Sequence, residues 1–342
     1  MIASLPLVPL LCVFACAALF VVLASIKATQ LADVIADRTR MGEALAGGLI
    51  LGGATSLAGV VVSVNAALSG DASFAFSNAV GGIAAQTLFL AMADLLHKRA
   101  NLEHAAAEPA NLFQAVMLII LLSLPICAMA GPDLAYFGIH PVSVVLFLAY
   151  LAGVHLSSVV SESPMWQPVQ TSETRKDDPD DADDAHKSAR GPILRFAGLV
   201  AIMAVGGWVI SQVGATFIDR FSLSSSLVGA LITAVVTSLP ELVTTLVAVR
   251  RGALQLAVGG IIGGNTFDTL FLVASDVAYR DGSLYHAVDI TDLYWLGTGL
   301  MMTAVLLAGL ILRQRQGPGR IGIESVLIMA IYSTALVVEL TK

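Results

Sequence analysis

The sequence predicts an all-α polytopic membrane protein of ten transmembrane helices, arranged as two inverted five-helix repeats. Three observations predict it. The chain of 342 residues is 57% hydrophobic and 13% charged, with a mean hydropathy of +0.84, so it carries more apolar surface than one soluble core can bury. Apolar stretches recur along it, each long enough to cross a hydrocarbon core of about 30 Å as a helix. Residues 45–96 also align without a gap onto 227–278, with about a third of positions identical.

The spans are placed at 5–30, 42–68, 72–96, 111–130, 139–160, 193–217, 222–249, 253–279, 289–312 and 321–340. The first has no Lys or Arg between Met1 and Ser25 and is too long for a cleaved export signal, so a retained helix is expected. The second begins at Glu43, an acid that the helix dipole favours there, and capping is preferred to a gating role. The third ends at Asp94 and the eighth at Asp276; both are expected to snorkel to the interface. Cys12 and Cys16 in the first span and Cys127 in the fourth have no metal-like spacing and read as small apolar fillers. In the fifth, His155 reads as structural in preference to a proton relay, with His140 at the span edge and His97, His104 and His186 in loops. The sixth opens the second half. The seventh and eighth carry the most polar motifs, and the ninth and tenth complete the count.

Basic residues fix the orientation. Arg38 and Arg40, Lys98 and Arg99, the group from Arg175 to Arg195, Arg250 and Arg251, and Arg313 to Arg320 fall on alternate connections, whereas the other side holds only Arg220, Arg280 and Lys342. Basic loops stay cytoplasmic, so both termini are expected outside. The polar segment "ETRKDDPDDADDAHKSARGP" is expected to be a disordered acidic cytoplasmic linker over 161–192. It lacks the alternating ligands and central glycine of a calcium-binding loop. It divides the chain into five-span halves at 1–160 and 193–342, with repeat motifs at 45–96 and 227–278. An odd number of spans separates the two copies, so they lie upside down relative to each other, a plan that secondary transporters use.

The chemistry lies inside the repeats. In "TSLPEL", Thr237, Glu241 and Thr245 stand at i, i+4 and i+8, on one helical stripe, and Pro240 removes a helical amide and frees a carbonyl. In "GGIIGGNTFD" the paired glycines permit the backbone to leave the helix, and Asn265 and Asp268 follow. Carboxylate, hydroxyl and carbonyl oxygens are hard ligands suited to Na⁺ and Ca²⁺. An ionised acid in hydrocarbon is expensive, so Glu241 and Asp268 need a cation, a proton or a base, and no base is predicted at their depth.

These motifs resemble those of the calcium/cation antiporter superfamily, which includes the Na⁺/Ca²⁺ exchangers of prokaryotic type. That family has ten spans, two inverted repeats, and motifs close to G-T-S-x-P-E and G-S-N-x-F-N/D. The resemblance covers both repeats and is strongest at "VTSLPEL" and "GGNTFD". It implies a cation site made by Glu241, Asp268, Thr237, Ser238, Thr55, Ser56, Gln86 and Asn265. The first repeat departs from the pattern. Gly59 replaces its glutamate, Ala58 its proline, Gln86 its Asn or Asp and Ile83 its Asn, and Gly82 and Gly264 replace the two motif serines.

The function so implied is secondary active antiport, Na⁺ against Ca²⁺, by alternating access in the bacterial inner membrane. A cation/H⁺ antiporter and a cation-binding membrane protein without transport stand as alternatives. The transported cations and the lipid bilayer are the expected partners, with no nucleic acid. No catalytic residue, covalent chemistry or cofactor is implied, and without a nucleotide-binding loop an ATP-driven pump is disfavoured.

Overall fold

The computed structural model describes residues 2–39, 52–97, 101–167, 169, 190–315, 317 and 321–341. Glu43 and most of the predicted linker, residues 170–189, lie outside the described residues.

The first half contains α1 (Leu7–Thr39), α2 (Gly52–Leu68), α3 (Ala72–Leu96), the short α4 (Leu102–Ala105), α5 (Pro109–Ala130) and α6 (Pro141–Glu162). The second contains α7 (Arg190–Phe221), α8 (Ser225–Thr237), α9 (Leu239–Arg251), α10 (Leu254–Ala278), the short α11 (Leu284–Ala287), α12 (Ile290–Leu312) and α13 (Ile323–Leu340). Local chemistry sets the ends. The Asp71 side chain accepts from the Phe74 amide to start α3, Asp289 and Asp292 form a capping box on α12, and Gly252 closes α9 at φ +83°.

Eight of these helices are long and apolar enough to cross a bilayer, and α8 with α9 makes a ninth if the bent pair is one span. Helix α2 is apolar but shorter, because the start of its predicted span lies outside the described residues. The centre of the bundle is α3 and α10, which pack on each other. Helices α2, α5, α12 and α13 surround them, and α1 and α7 pair at the periphery. Glycines in α3 allow this density: a methyl at Gly81 would collide with the backbone of Ala230 in α8.

Two expectations about local structure change. The paired glycines of "GGIIGGNTFD" do not break their helix, because α10 runs unbroken from Leu254 to Ala278. The break falls in the neighbouring span, where α8 and α9 meet at 44° on Ser238 and Pro240 takes the first turn of the new helix. Before it, α8 widens into a π-helical turn over Val228–Thr233, a departure from regular geometry often found near functional sites.

Asp94 and Asp276 do not snorkel. Both are buried and tied to backbone amides. Asp94 accepts from Leu102 N at 2.8 Å and Gly322 N at 3.1 Å; Asp276 accepts from Leu284 N at 3.2 Å and His140 N at 2.8 Å. Amide donors replace the water that snorkelling would have supplied. Every member of one set lies 182 residues from its counterpart in the other, and each acid takes one amide from its own half and one from the opposite half. The three cysteines are exposed on the outer face of the bundle rather than filling its interior, and His155 is likewise exposed.

Candidate functional site

At the centre, α2, α3, the α8–α9 break and α10 enclose a cavity of about 10 Å³, room for roughly one water molecule. Ser56, Gln86, Thr237, Ser238, Glu241 and Asp268 line it, with Gly59, Asn78, Gly82 and Phe271. The break in the seventh predicted span explains why Glu241 stands there. Ser238 ends one helix and Pro240 starts the next, so Glu241 falls in the first turn of α9, where the helix dipole favours an anion. Asp268 projects from the middle of the unbroken α10.

Both acids are nearly inaccessible, 4% exposed for Glu241 and 1% for Asp268. Ser56 Oγ donates to Glu241 Oε1 at 3.4 Å, and the Thr55 hydroxyl also bonds this carboxylate. Gln86 Nε2 donates to Asp268 Oδ2 at 2.6 Å and lies 3.3 Å from Ser238 Oγ. Four buried oxygens here have no hydrogen-bond partner: Glu241 Oε2, Asp268 Oδ1, Gln86 Oε1 and Asn265 Oδ1. Unsatisfied buried acceptors are costly. Oxygens without donors, from two carboxylates and two amides, suit a cation better than any neutral guest.

Of the eight residues expected at the site, six line the cavity. Thr55 touches it through Glu241, and Asn265 stands behind it, donating from Nδ2 to Thr87 Oγ1 at 3.0 Å. Thr237 turns its hydroxyl back to the Thr233 carbonyl at 2.9 Å. Thr245 is buried along the α9 stripe but does not line the cavity. Among the described residues, no group of three or more His, Cys, Asp or Glu is placed to hold a metal ion; the site is built on two acids with hydroxyl and amide oxygens.

Two lining residues were not anticipated. Asn78 donates to the Gly59 carbonyl at 3.1 Å and to Ser63 Oγ at 2.8 Å, and its Oδ1 accepts from Thr233 Oγ1 at 2.7 Å. It fixes α2 against α3 and α8; its signal was an amide side chain inside an apolar span that also carries Gln86. Phe271 covers Gly59: a Cβ at Gly59 would lie 2.6 Å from the ring. The place where the second repeat carries a glutamate is filled, in the first, by an aromatic edge. Beside Gly264, where a motif serine is missing, Gln86 Oε1 approaches to 3.2 Å of a would-be Cβ.

A bundle of apolar spans with two buried acids around a central cavity is a polytopic helical membrane protein with an ion-sized polar centre. The sequence profile of the sodium/calcium exchanger protein family matches residues 9–159 and again residues 191–341. The chain belongs to that family. It is 30% identical over 118 residues to the putative antiporter CaxA of Alkalimonas amylolytica, and 28% identical over 119 residues to the inner membrane protein YrbG of Escherichia coli (strain K12). Those matches span about a third of this chain, and 35% of each relative. Among solved structures, the H⁺/Ca²⁺ exchanger CAX superposes with a TM-score of 0.69 at 13% identity, over 96% of this chain and 80% of that one. The sodium-calcium exchanger NCX_Mj, soaked with Na⁺ and no Ca²⁺, gives 0.56 at 17% identity, over 96% and 97%. At these identities the likeness is one of fold.

Proposed function

We propose that this protein is a secondary active cation antiporter, exchanging Na⁺ for Ca²⁺ by alternating access. Its ten spans form two inverted repeats in the bacterial inner membrane, with termini outside and the acidic linker cytoplasmic. One observation carries the reading: Glu241 and Asp268 converge, buried and each with an unpartnered oxygen, on a cavity that admits one small guest. A carboxylate pair there holds one divalent ion or two monovalent ones, and crossing empty is penalised by two bare charges in low dielectric. Ser56, Ser238, Thr55 and Thr237 supply hydroxyl oxygens, and Gln86 and Asn265 supply amide oxygens. The 182-residue correspondence of the Asp94 and Asp276 ties supports the paired-repeat plan.

A second reading, exchange of a cation for H⁺, is favoured by the two motif positions where Gly82 and Gly264 offer no hydroxyl for Na⁺. Flux into liposomes containing the purified protein separates the two. With Ca²⁺ as counter-ion, transport driven by an imposed Na⁺ gradient supports the first reading. Transport that follows a pH gradient without Na⁺ supports the second, and binding without flux removes both.

A further inference from the structure

A second group of buried acids lies far along the chain from the central pair, where α3 and α4 meet the start of α13. Asp94, Glu103 and Glu324 are 1%, 1% and 5% exposed. Their oxygens crowd one point: a methyl built on Gly322 would lie 3.0 Å from Glu324 Oε2 and 3.3 Å from both Asp94 Oδ2 and Glu103 Oε2. Ser325 Oγ donates to Glu103 Oε1 at 3.3 Å. Glu103 Oε2 and both oxygens of Glu324 have no partner. Glu324 is also confined, because its carboxyl lies across Gly309 of α12, where a methyl would stand 2.9 Å from Oε1.

The same segments carry further titratable and charged groups. From α3 come Asp94 and His97, and from α4 Glu103 and His104; the segment before α13 brings Arg313 and Arg315, and α13 brings Glu324. His104 Nδ1 is engaged with the Arg313 carbonyl at 2.7 Å. The Arg313 guanidinium donates to the carbonyls of Val169 and His104. Among the described residues no cation bonds any of the three carboxylates; Lys98, Arg99 and Arg320 lie outside those residues.

The matching place at the other end of the molecule is a control supplied by the fold. Displaced by 182 residues, Asp94 becomes Asp276, Glu103 becomes Tyr285, Ser325 becomes Ser143 and Glu324 becomes Val142. There a single acid is fully partnered: Ser143 Oγ bonds Asp276 Oδ2 at 2.7 Å and the Tyr285 hydroxyl at 2.8 Å. One acid stands at that end, with a tyrosine and a valine in the places of the two glutamates.

We propose that Asp94, Glu103 and Glu324 form a proton-binding site, separate from the Glu241–Asp268 pair, in which a shared proton latches α4 to the start of α13. Protonation turns an acceptor-only oxygen into a donor and supplies the partner that the neighbouring carboxylate lacks. Losing it leaves up to three like charges confined, with no cation among the described residues bonded to them. Burial, and then the neighbouring charge of Asp94, push Glu103 up to about 8. The folded protein thus holds a proton that the unfolded chain releases near its ordinary value of 4.5. The stabilisation is complete below that value and is lost as pH rises towards 8. With the orientation given under Proposed function, on which only this clause rests, the site responds to cytoplasmic pH.

The test uses purified full-length protein and does not depend on transport. Infrared difference titration should show a protonated-carboxyl band that disappears with a midpoint near pH 8. Glu103→Gln should abolish that band, and Glu324→Gln, which removes one neighbouring charge, should move its midpoint down. The melting midpoint of the unmodified protein should fall between about pH 5 and pH 9. That fall should be reduced in Glu103→Gln and in Glu103→Tyr, the second copying the residue at the matching position. Identical infrared titrations in the unmodified protein and Glu324→Gln would overturn the proposal. So would a rise in melting midpoint with added Ca²⁺ at about pH 9 that disappears in Glu103→Gln while Ca²⁺ binding at the central pair persists, since that outcome makes the cluster a metal site.

Discussion

Gln86 donates its amide proton to Asp268 at 2.6 Å although the two residues occupy the same position in the two repeats, 182 residues apart. The pair meets because α3 and α10 cross at the centre of the bundle. Asp268→Asn keeps an oxygen to accept from Gln86, so the fold should hold, with Ca²⁺-dependent flux reduced only a few-fold. Asp268→Ala strands a buried amide donor, at a cost of about 1–3 kcal/mol, and should lower both flux and melting temperature. Equal behaviour of the two variants would show that the oxygen at this position does not matter.

Glu241 should be less tolerant. It is the one glutamate at the paired motif position, and its partners are hydroxyls that an amide can also engage. Glu241→Gln is therefore expected to fold normally and to lose Ca²⁺ affinity by at least about 10- to 100-fold, the loss produced even by removing outer partners of metal ligands. Equilibrium Ca²⁺ binding to the purified variant is the measurement. Near-normal affinity would remove Glu241 from the site.

Restoring the first repeat's glutamate requires two changes. Gly59→Glu alone drives a side chain into the Phe271 ring, and overpacking of this kind costs about 1–3 kcal/mol. The single variant should melt lower with no gain in divalent affinity. Gly59→Glu with Phe271→Ala should recover stability and bind Ca²⁺ more tightly than the unmodified protein. A single variant that binds more tightly and melts normally would show that the ring moves aside freely.

The charge count makes a further prediction. Two carboxylates at the centre balance one divalent ion or two monovalent ions, because residual charge in the membrane interior is costly. Flux in liposomes held at opposite diffusion potentials should then differ little. Strong voltage dependence would point to a third ionised group.

The all-helical membrane character, the duplication and the two acids that meet at the cavity were legible because each leaves a one-dimensional trace. Span length reads as an apolar run, and Glu241 and Asp268 are acids where hydrocarbon demands a reason. What was missed depends on contacts between distant segments. Asp94 looked like a snorkelling residue because sequence cannot show that Gly322, in the opposite half, supplies it with an amide. Phe271 left no trace of its role in the sequence because its partner is the absence of a side chain at Gly59. The glycine pairs of α10 looked like helix breakers, but packing decided their use. At Gly259 a methyl would stand 2.7 Å from Asn111 Oδ1 of α5, so the position serves close approach.

The crossed ties of Asp94 to Gly322 and of Asp276 to His140 bear on ancestry. Neither half satisfies its own acid, since each borrows an amide from the other. A chain made of one half alone would leave its acid short of one amide, which only a second copy could supply. The tie is thus one that two copies of a single half could make with each other, and the halves differ around it, one carrying tyrosine and valine where the other carries two glutamates.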